Sequence, residues 1–203
     1  MANIIFYING KWVHENNAKI PFNDAGFLYG DGLFETVRFQ NRKLFRPQMH
    51  IDRLRSGLKI LSLHLPIYDD AIVAILEQSI EKNQIVNGLL RMIITRGFID
   101  KGFPWNHTGT PGLYVSIRPL SSEPEIPVKI VFLKESSFPL IRFKPAIKSV
   151  NYLGNMLAKK EAEKQGAFEP VFINSDGFIT EGAIRNIFFI KGDKLLSPGL
   201  DLG

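Results

Sequence analysis

Apolar residues follow two rhythms along this chain. In residues 33–39, 89–95 and 113–118 they alternate or run together over short stretches rich in Val, Ile, Leu and Phe, the pattern of strands. In residues 48–63 they return as Ile51, Leu54, Leu58 and Leu61, and in residues 71–82 as Ile72, Ile75, Leu76 and Ile80, each set one face of a helix. Pro47 suits the first turn of the first helix, and Asp69-Asp70 are expected to cap the second. A third helix is predicted after Tyr152. It has Leu153, Leu157 and Ala158 on one face, Lys159, Lys160, Glu163 and Lys164 on another, and Gly166 as its stop.

The breaks between these segments order them. Asn9-Gly10 predicts a hairpin between strands at 4–8 and 11–13, Asn41-Arg42 a turn into 43–45, and Asn87-Gly88 another turn. Residues 20–26 and 98–110 read as loops, the second long enough to be a binding loop. Further strands are expected at 128–133, 168–174, 178–180 and 184–191, with turns at 175–177 and 192–193. The three prolines of 119–127 mark a linker. The prediction is an α+β chain of two subdomains, 1–118 and 128–203, joined by that linker.

Composition narrows the class. The chain has 203 residues, 45% of them hydrophobic, enough for a real core. No 18-residue apolar run occurs, so no membrane helix is expected, and the first residues lack the basic region and cleavage site of a secretory leader. Without a cysteine there are no disulfides and no thiolate metal site, which fits a cytoplasmic protein. The net charge is +5 and the bases are spread, most densely between Arg38 and Arg55, which suits small anions rather than nucleic acid.

The candidate chemistry lies in a few stretches. Lys148 follows the apolar pair Ala146 and Ile147 and precedes Asn151, Tyr152 and the third helix. Most lysines are solvated surface groups, but an amine in a partly dry pocket can become a nucleophile. In Asp176-Gly-Phe-Ile-Thr-Glu-Gly-Ala-Ile-Arg-Asn, Glu181 sits between Thr180 and Gly182 where a turn runs into a strand. His50-Ile-Asp-Arg-Leu places Arg53 on the first helix, and Tyr29-Gly-Asp-Gly-Leu-Phe-Glu-Thr puts Gly30 and Gly32 before a strand.

From about Phe6 to its last residue, the chain resembles the class IV aminotransferases, the fold-type IV pyridoxal-phosphate enzymes. These include branched-chain aminotransferases, D-amino-acid aminotransferases and aminodeoxychorismate lyases. The resemblance implies a two-subdomain D-amino-acid-aminotransferase-like fold with pyridoxal 5′-phosphate held in the cleft between the subdomains. It makes Lys148 the catalytic amine that carries the cofactor, Arg53 its phosphate ligand, Tyr152 the partner of its phenolic oxygen, and Glu181 the partner of its pyridine nitrogen. Backbone groups of Gly182, Ala183 and Ile184 would face the cofactor, with Asn186 supporting. Tyr29 and Arg96 would meet the substrate, with a structural role for Arg96 equally open; no metal is implied. The family's members continue for several tens of residues, including a helix that grips the phosphate, so the second subdomain is expected to be incomplete here.

The substrate would be a small amino or keto acid, or aminodeoxychorismate, and the protein a homodimer without nucleic-acid or membrane partners. The stretch 98–110 lacks the Arg-x-His pattern of D-amino-acid recognition. Gly30-Asp-Gly32 and Thr95-Arg-Gly97 lean towards the lyase over the branched-chain transaminase. A non-catalytic relative or fragment, serving as a binding or assembly module, is the competing reading.

Overall fold

The computed structural model describes residues 4–99, 110–122 and 124–199; most of the expected 98–110 loop lies outside the described residues. The chain forms two compact units, Met1–Ser122 with Ile147–Val150, and Glu123–Ala146 with Asn151–Gly203. The sequence pattern kept 128–203 together. Residues 147–150 group instead with the first unit, because the Phe34 amide donates to Lys148 O at 2.7 Å and the Val150 amide to Gly32 O at 3.1 Å.

The first unit is built on β1 (Ile5–Ile8), β2 (Lys11–His14), α1 (Ala25–Tyr29), β3 (Gly32–Gln40), β4 (Lys43–Leu44), α2 (Pro47–Ile60), α3 (Asp69–Asn83), β5 (Gly88–Thr95) and β6 (Gly112–Pro119). Its sheet has the order β2-β1-β6-β5-β3-β4, antiparallel throughout. Leu33, Glu35 and Val37 stand opposite Ile94, Met92 and Leu90, which stand opposite Leu113, Val115 and Ile117. Side chains alternate along a strand, so this register puts all nine on one face. The apolar members of that face form one core with Ile51, Leu54 and Leu58 of α2 and Ile72, Leu76 and Ile80 of α3. Each such fully buried aliphatic contributes about 1.5–3 kcal/mol, which is why the two helical stripes were readable in advance. Glu35 is the one charged group inserted into this apolar face, and it is 1% exposed.

Several boundaries differ from expectation for local reasons. The expected loop before β3 contains α1, capped by Asp24, whose carboxylate accepts from the Gly26 and Phe27 amides. α2 stops at Ile60, followed by Ser62 at φ 50°. Asp69 and Asp70 lie in the first turn of α3 rather than at its cap, which is Tyr68. Asp69 instead accepts from Arg55 at 2.9 Å and Gln48 at 3.3 Å. A Cβ at Gly32 would stand 2.6 Å from the Ile94 carbonyl, so only glycine lets β3 begin against β5.

The second unit contains β7 (Ile130–Lys134), α4 (Leu153–Lys164), β8 (Glu169–Ile173), β9 (Ile179–Gly182), β10 (Phe189–Lys191) and β11 (Lys194–Leu196). β7 and β8 are parallel, β9 runs antiparallel to β8, and β10-β11 form a separate hairpin. Ala158 of α4 packs on Phe172 and Ala183. The strand expected over 184–191 is reduced to Phe189–Lys191. The Ile184 and Arg185 amides are drawn off by the buried carboxylate of Glu169, at 2.8 and 3.2 Å, and the Gly182 amide donates to Arg185 O. Among the described residues no helix is long and apolar enough to cross a membrane.

Candidate active site

In the first unit the site is organised by the opening residues of β3. Residues 147–150 lie along its edge, with Ser149 opposite Leu33. Strand alternation then places Lys148 with Phe34, and its Nζ stands 5.7 Å from the centroid of the Phe34 ring. Arg91 of β5 covers the same ring at 4.0 Å. Two cations therefore meet this one ring, each drawn to its π electrons.

The next residue, Glu35, points to the opposite face. Its carboxylate accepts two hydrogen bonds from Arg53, Nε at 2.5 Å and Nη2 at 2.7 Å, and lies 2.8 Å from Nδ1 of His50. His50 and Arg53 are one turn apart on α2, so both reach the same strand residue. Burial works against the Glu35 carboxylate, but the hydrogen bonds and positive charge of Arg53 and His50 outweigh it and hold its pKa below the ordinary 4.5. Arg53 remains 44% exposed while Glu35 orients its guanidinium through Nε and Nη2. Sequence reasoning singled out Arg53 and passed over Glu35, the residue that aims it; a carboxylate on the core face of a strand pattern was the available signal.

A group whose pKa is lowered on folding stabilises the fold above its unfolded value, and that stabilisation is lost as pH falls through the folded value. The Glu35 contribution is therefore complete above about 4.5 and disappears in more acidic solution. Glu35→Gln should cost on the order of 2–3 kcal/mol at neutral pH, less than a fully buried pair because Arg53 is partly solvated. Urea unfolding against pH should show the acid-labile part of stability shrinking in the variant. Parallel pH curves for the two proteins would contradict this account.

Arg96 is engaged elsewhere. Its Nε donates to Asp31 at 2.5 Å and its Nη2 to Asp31 at 3.2 Å and to Leu61 O at 2.8 Å, so it fixes the Gly30-Asp31-Gly32 turn. Tyr29, on the turn's other side, is 57% exposed. Buried Asp24 anchors this corner, accepting from Thr95 Oγ1 at 2.7 Å and from the Tyr114 hydroxyl at 2.9 Å. Burial and the Asp24 hydrogen bond push the Tyr114 hydroxyl up to about 12, so it remains a donor. A separate hollow of about 450 Å³ is lined by Arg38, Gln40, Lys43, Leu44 and Phe45, none of them a site residue expected from the sequence.

In the second unit Glu181 lies on β9, its Oε1 accepting from Arg142 Nη1, with the side chain 39% exposed. The Tyr152 hydroxyl donates to Ala183 O at 2.5 Å, and Asn155 donates to the same carbonyl at 3.0 Å. Having one proton, the Tyr152 hydroxyl here spends it on the backbone. The amides of Gly182, Ala183 and Ile184 likewise donate to Arg185 O, Pro170 O and Glu169 Oε1. These groups shape the end of β9.

The side chains present fit a phosphorylated pyridine aldehyde in their chemistry. There is an amine on a fixed backbone, a half-exposed guanidinium oriented by Glu35, and a half-exposed carboxylate held by its own arginine. The Tyr152 hydroxyl and the 182–184 amides are the poorer match, being satisfied internally.

The family model described as "Amino-transferase class IV" matches residues 32–203. A protein of Methanocaldococcus jannaschii, named provisionally as a branched-chain-amino-acid aminotransferase, is 33% identical over 195 residues, covering 95% of this chain and 67% of its own. The aminodeoxychorismate lyase of Bacillus subtilis is 33% identical over 205 residues, covering 98% of this chain and 69% of its own. The solved structure of the branched-chain amino acid aminotransferase from Escherichia coli superposes with a TM-score of 0.82 at 23% identity, over 98% of this chain and 68% of that one. The chain thus spans about two thirds of the length of these relatives.

Proposed function

Since this chain belongs to the class IV aminotransferase family, we propose that it is a pyridoxal-phosphate enzyme acting at the amino-bearing carbon of a small carboxylate substrate. The observation that carries this reading is that one stretch of β3, residues 32–35, fixes both the Lys148 backbone and, through Glu35, the Arg53 guanidinium. Bound pyridoxal 5′-phosphate supplies an electron sink for negative charge at the substrate carbon.

The chain's own residues do the rest. Lys148 Nζ holds the cofactor and moves the proton at the substrate carbon. Arg53 grips the phosphate with a planar, always-charged fork. Glu181 holds a proton on the ring nitrogen. Tyr152, acting through Ala183, and the backbone of Gly182 and Ile184 set the end of β9 that carries Glu181. Tyr29 stands on the substrate side, and Arg96 supports it by fixing the adjacent turn.

Two reactions fit, because one relative at 33% identity is named for branched-chain transamination and another for aminodeoxychorismate lysis. Cofactor-supplemented protein offered aminodeoxychorismate should release pyruvate if it is a lyase. Offered leucine and 2-oxoglutarate, it should form glutamate if it is a transaminase. Absence of both reactions, with no visible absorbance from bound cofactor, would favour the non-catalytic reading.

The working form is a homodimer. An exposed apolar group on the first unit, Phe22 at 75%, Phe27 at 63% and Tyr29 at 57% exposed, supports this. Light scattering should give twice the chain mass of 23.0 kDa; a monomer at micromolar concentration would contradict it.

A further inference from the structure

Glu181 belongs to a charge cluster that no reading of the sequence contained. Arg142 donates through Nη1 to Glu181 Oε1 and through Nη2 to Glu135 Oε1. Glu135 also accepts from the hydroxyl of Thr180, the residue before Glu181, at 2.8 Å. The guanidinium lies over the fully buried ring of Phe172, 5.7 Å from its centroid, and Phe138 braces that ring edge-on at 6.3 Å. The arginine is thus fixed in its plane by two carboxylates and from one side by an aromatic face.

The arrangement is costly for a merely structural one. Arg142 Nε is buried and has no hydrogen-bond partner among the described residues, a penalty that cores ordinarily avoid. Packing alone would be served as well by apolar side chains. The charges also fail to balance. Two carboxylates share one guanidinium, which leaves a surplus negative charge at the cluster. The other carboxylate nearby, Glu169, is occupied by Arg185 at 3.1 Å and by two backbone amides. The surplus is carried by Glu181, the most exposed of the three side chains at 39%, against 26% for Arg142 and 16% for Glu135. Among the described residues the cluster holds one more carboxylate than cation, and Glu181 is its most exposed member.

We propose that Arg142, backed by Glu135, is a positioning residue that locks Glu181 so that its free edge accepts a proton-bearing cationic nitrogen. This rests on the proposed role of Glu181 as partner of the cofactor's ring nitrogen. Arg142 touches neither cofactor nor substrate; it acts by fixing the carboxylate's rotamer and supplying the charge that lets two acids stand side by side. Glu135 holds the far end of the guanidinium, so its removal should loosen Glu181 without unpairing it.

The test is cofactor affinity and the visible spectrum of bound pyridoxal phosphate, measured by titrating cofactor-free full chain. Arg142→Gln should weaken binding about tenfold or more, in the range typical of residues that orient a ligating group. It should also move the pH midpoint of the bound cofactor's absorbance in the same direction as Glu181→Gln. Arg142→Lys, which keeps the charge and loses the fork, should recover part of both effects. Glu135→Gln, which leaves the Arg142–Glu181 pair intact and guards against a folding defect in the arginine variants, should give a smaller shift of the same sign. In the double variant Arg142→Gln/Glu181→Gln, the losses should not add. If Glu181→Gln changes the spectrum while the Arg142 and Glu135 variants match wild type, the positioning proposal is overturned and the role of Glu181 stands. If Glu181→Gln itself leaves affinity and spectrum unchanged, the parent reading fails and takes the proposal with it.

Discussion

Lys148→Ala should abolish turnover while leaving the fold nearly intact. The two effects separate because they use different parts of the residue. Its backbone carbonyl accepts from the Phe34 amide beside the Val150–Gly32 hydrogen bond, and alanine preserves both. The side chain meets the buried Phe34 ring, a contact of about 0.5–2 kcal/mol. Against a total stability of about 5–15 kcal/mol, that is a shift of a few degrees in melting temperature. The chemistry, by contrast, loses the group that attaches the cofactor and carries the proton, and proton transfer by a placed group alone is worth about 10²–10⁴ in rate. Arg91, over the same ring, is a poor substitute because a guanidinium does not lose its proton in this range. Retained turnover in purified, melting-competent Lys148→Ala protein would remove Lys148 from the role assigned to it.

The second large effect is expected at Glu181. A carboxylate against the ring nitrogen favours its protonated form, since opposite charge stabilises the charged state. The proton held there strengthens the site's pull on negative charge at the substrate carbon. Glu181→Gln keeps the shape and can still hydrogen-bond Arg142, but removes the charge. Cofactor should still bind, since Lys148 and Arg53 lie in the first unit and are untouched. Exchange of the substrate's α-hydrogen with solvent should slow by about 10² or more, the usual scale for losing a preorganised electrostatic partner. If Glu181 were only a turn residue, the variant would melt earlier and exchange hydrogen at the wild-type rate per folded molecule. Measuring exchange in single turnovers on cofactor-loaded protein distinguishes the two.

What the sequence disclosed, and what it withheld, follows from the range of the interactions. The α2 and α3 stripes and the strand at 33–39 are local patterns repeated over several turns or alternations, and they were readable. Gly30-Asp31-Gly32 was visible as a turn because glycine marks backbone that other residues cannot adopt; Gly30 is at φ 67° and Gly32 abuts the Ile94 carbonyl. The partners of the carboxylates that organise the site were opaque. Asp24 finds its partners 71 and 90 residues away in Thr95 and Tyr114, and Glu181 finds Arg142 39 residues away. The strand pattern marks Glu35 as facing the core, but nothing in one dimension marks which distant residues will bond such an acid. The strand expected at 184–191 failed for this reason, because nothing local shows that Glu169 will collect the Ile184 and Arg185 amides. Lys148, Arg53 and Glu181 were found through motif resemblance, and the residues that hold two of them, Glu35 and Arg142, became visible only in three dimensions.

One measurement bears on the whole account. The full chain is incubated with pyridoxal 5′-phosphate, reduced with borohydride, digested, and the peptides are mapped by mass. The prediction is a visible absorbance that reduction abolishes and a stable phosphopyridoxyl group on Lys148, stoichiometric with protein and absent from Lys148→Ala. No absorbance, or a label spread over surface lysines such as Lys160 and Lys164 with Lys148 unmodified, would contradict it.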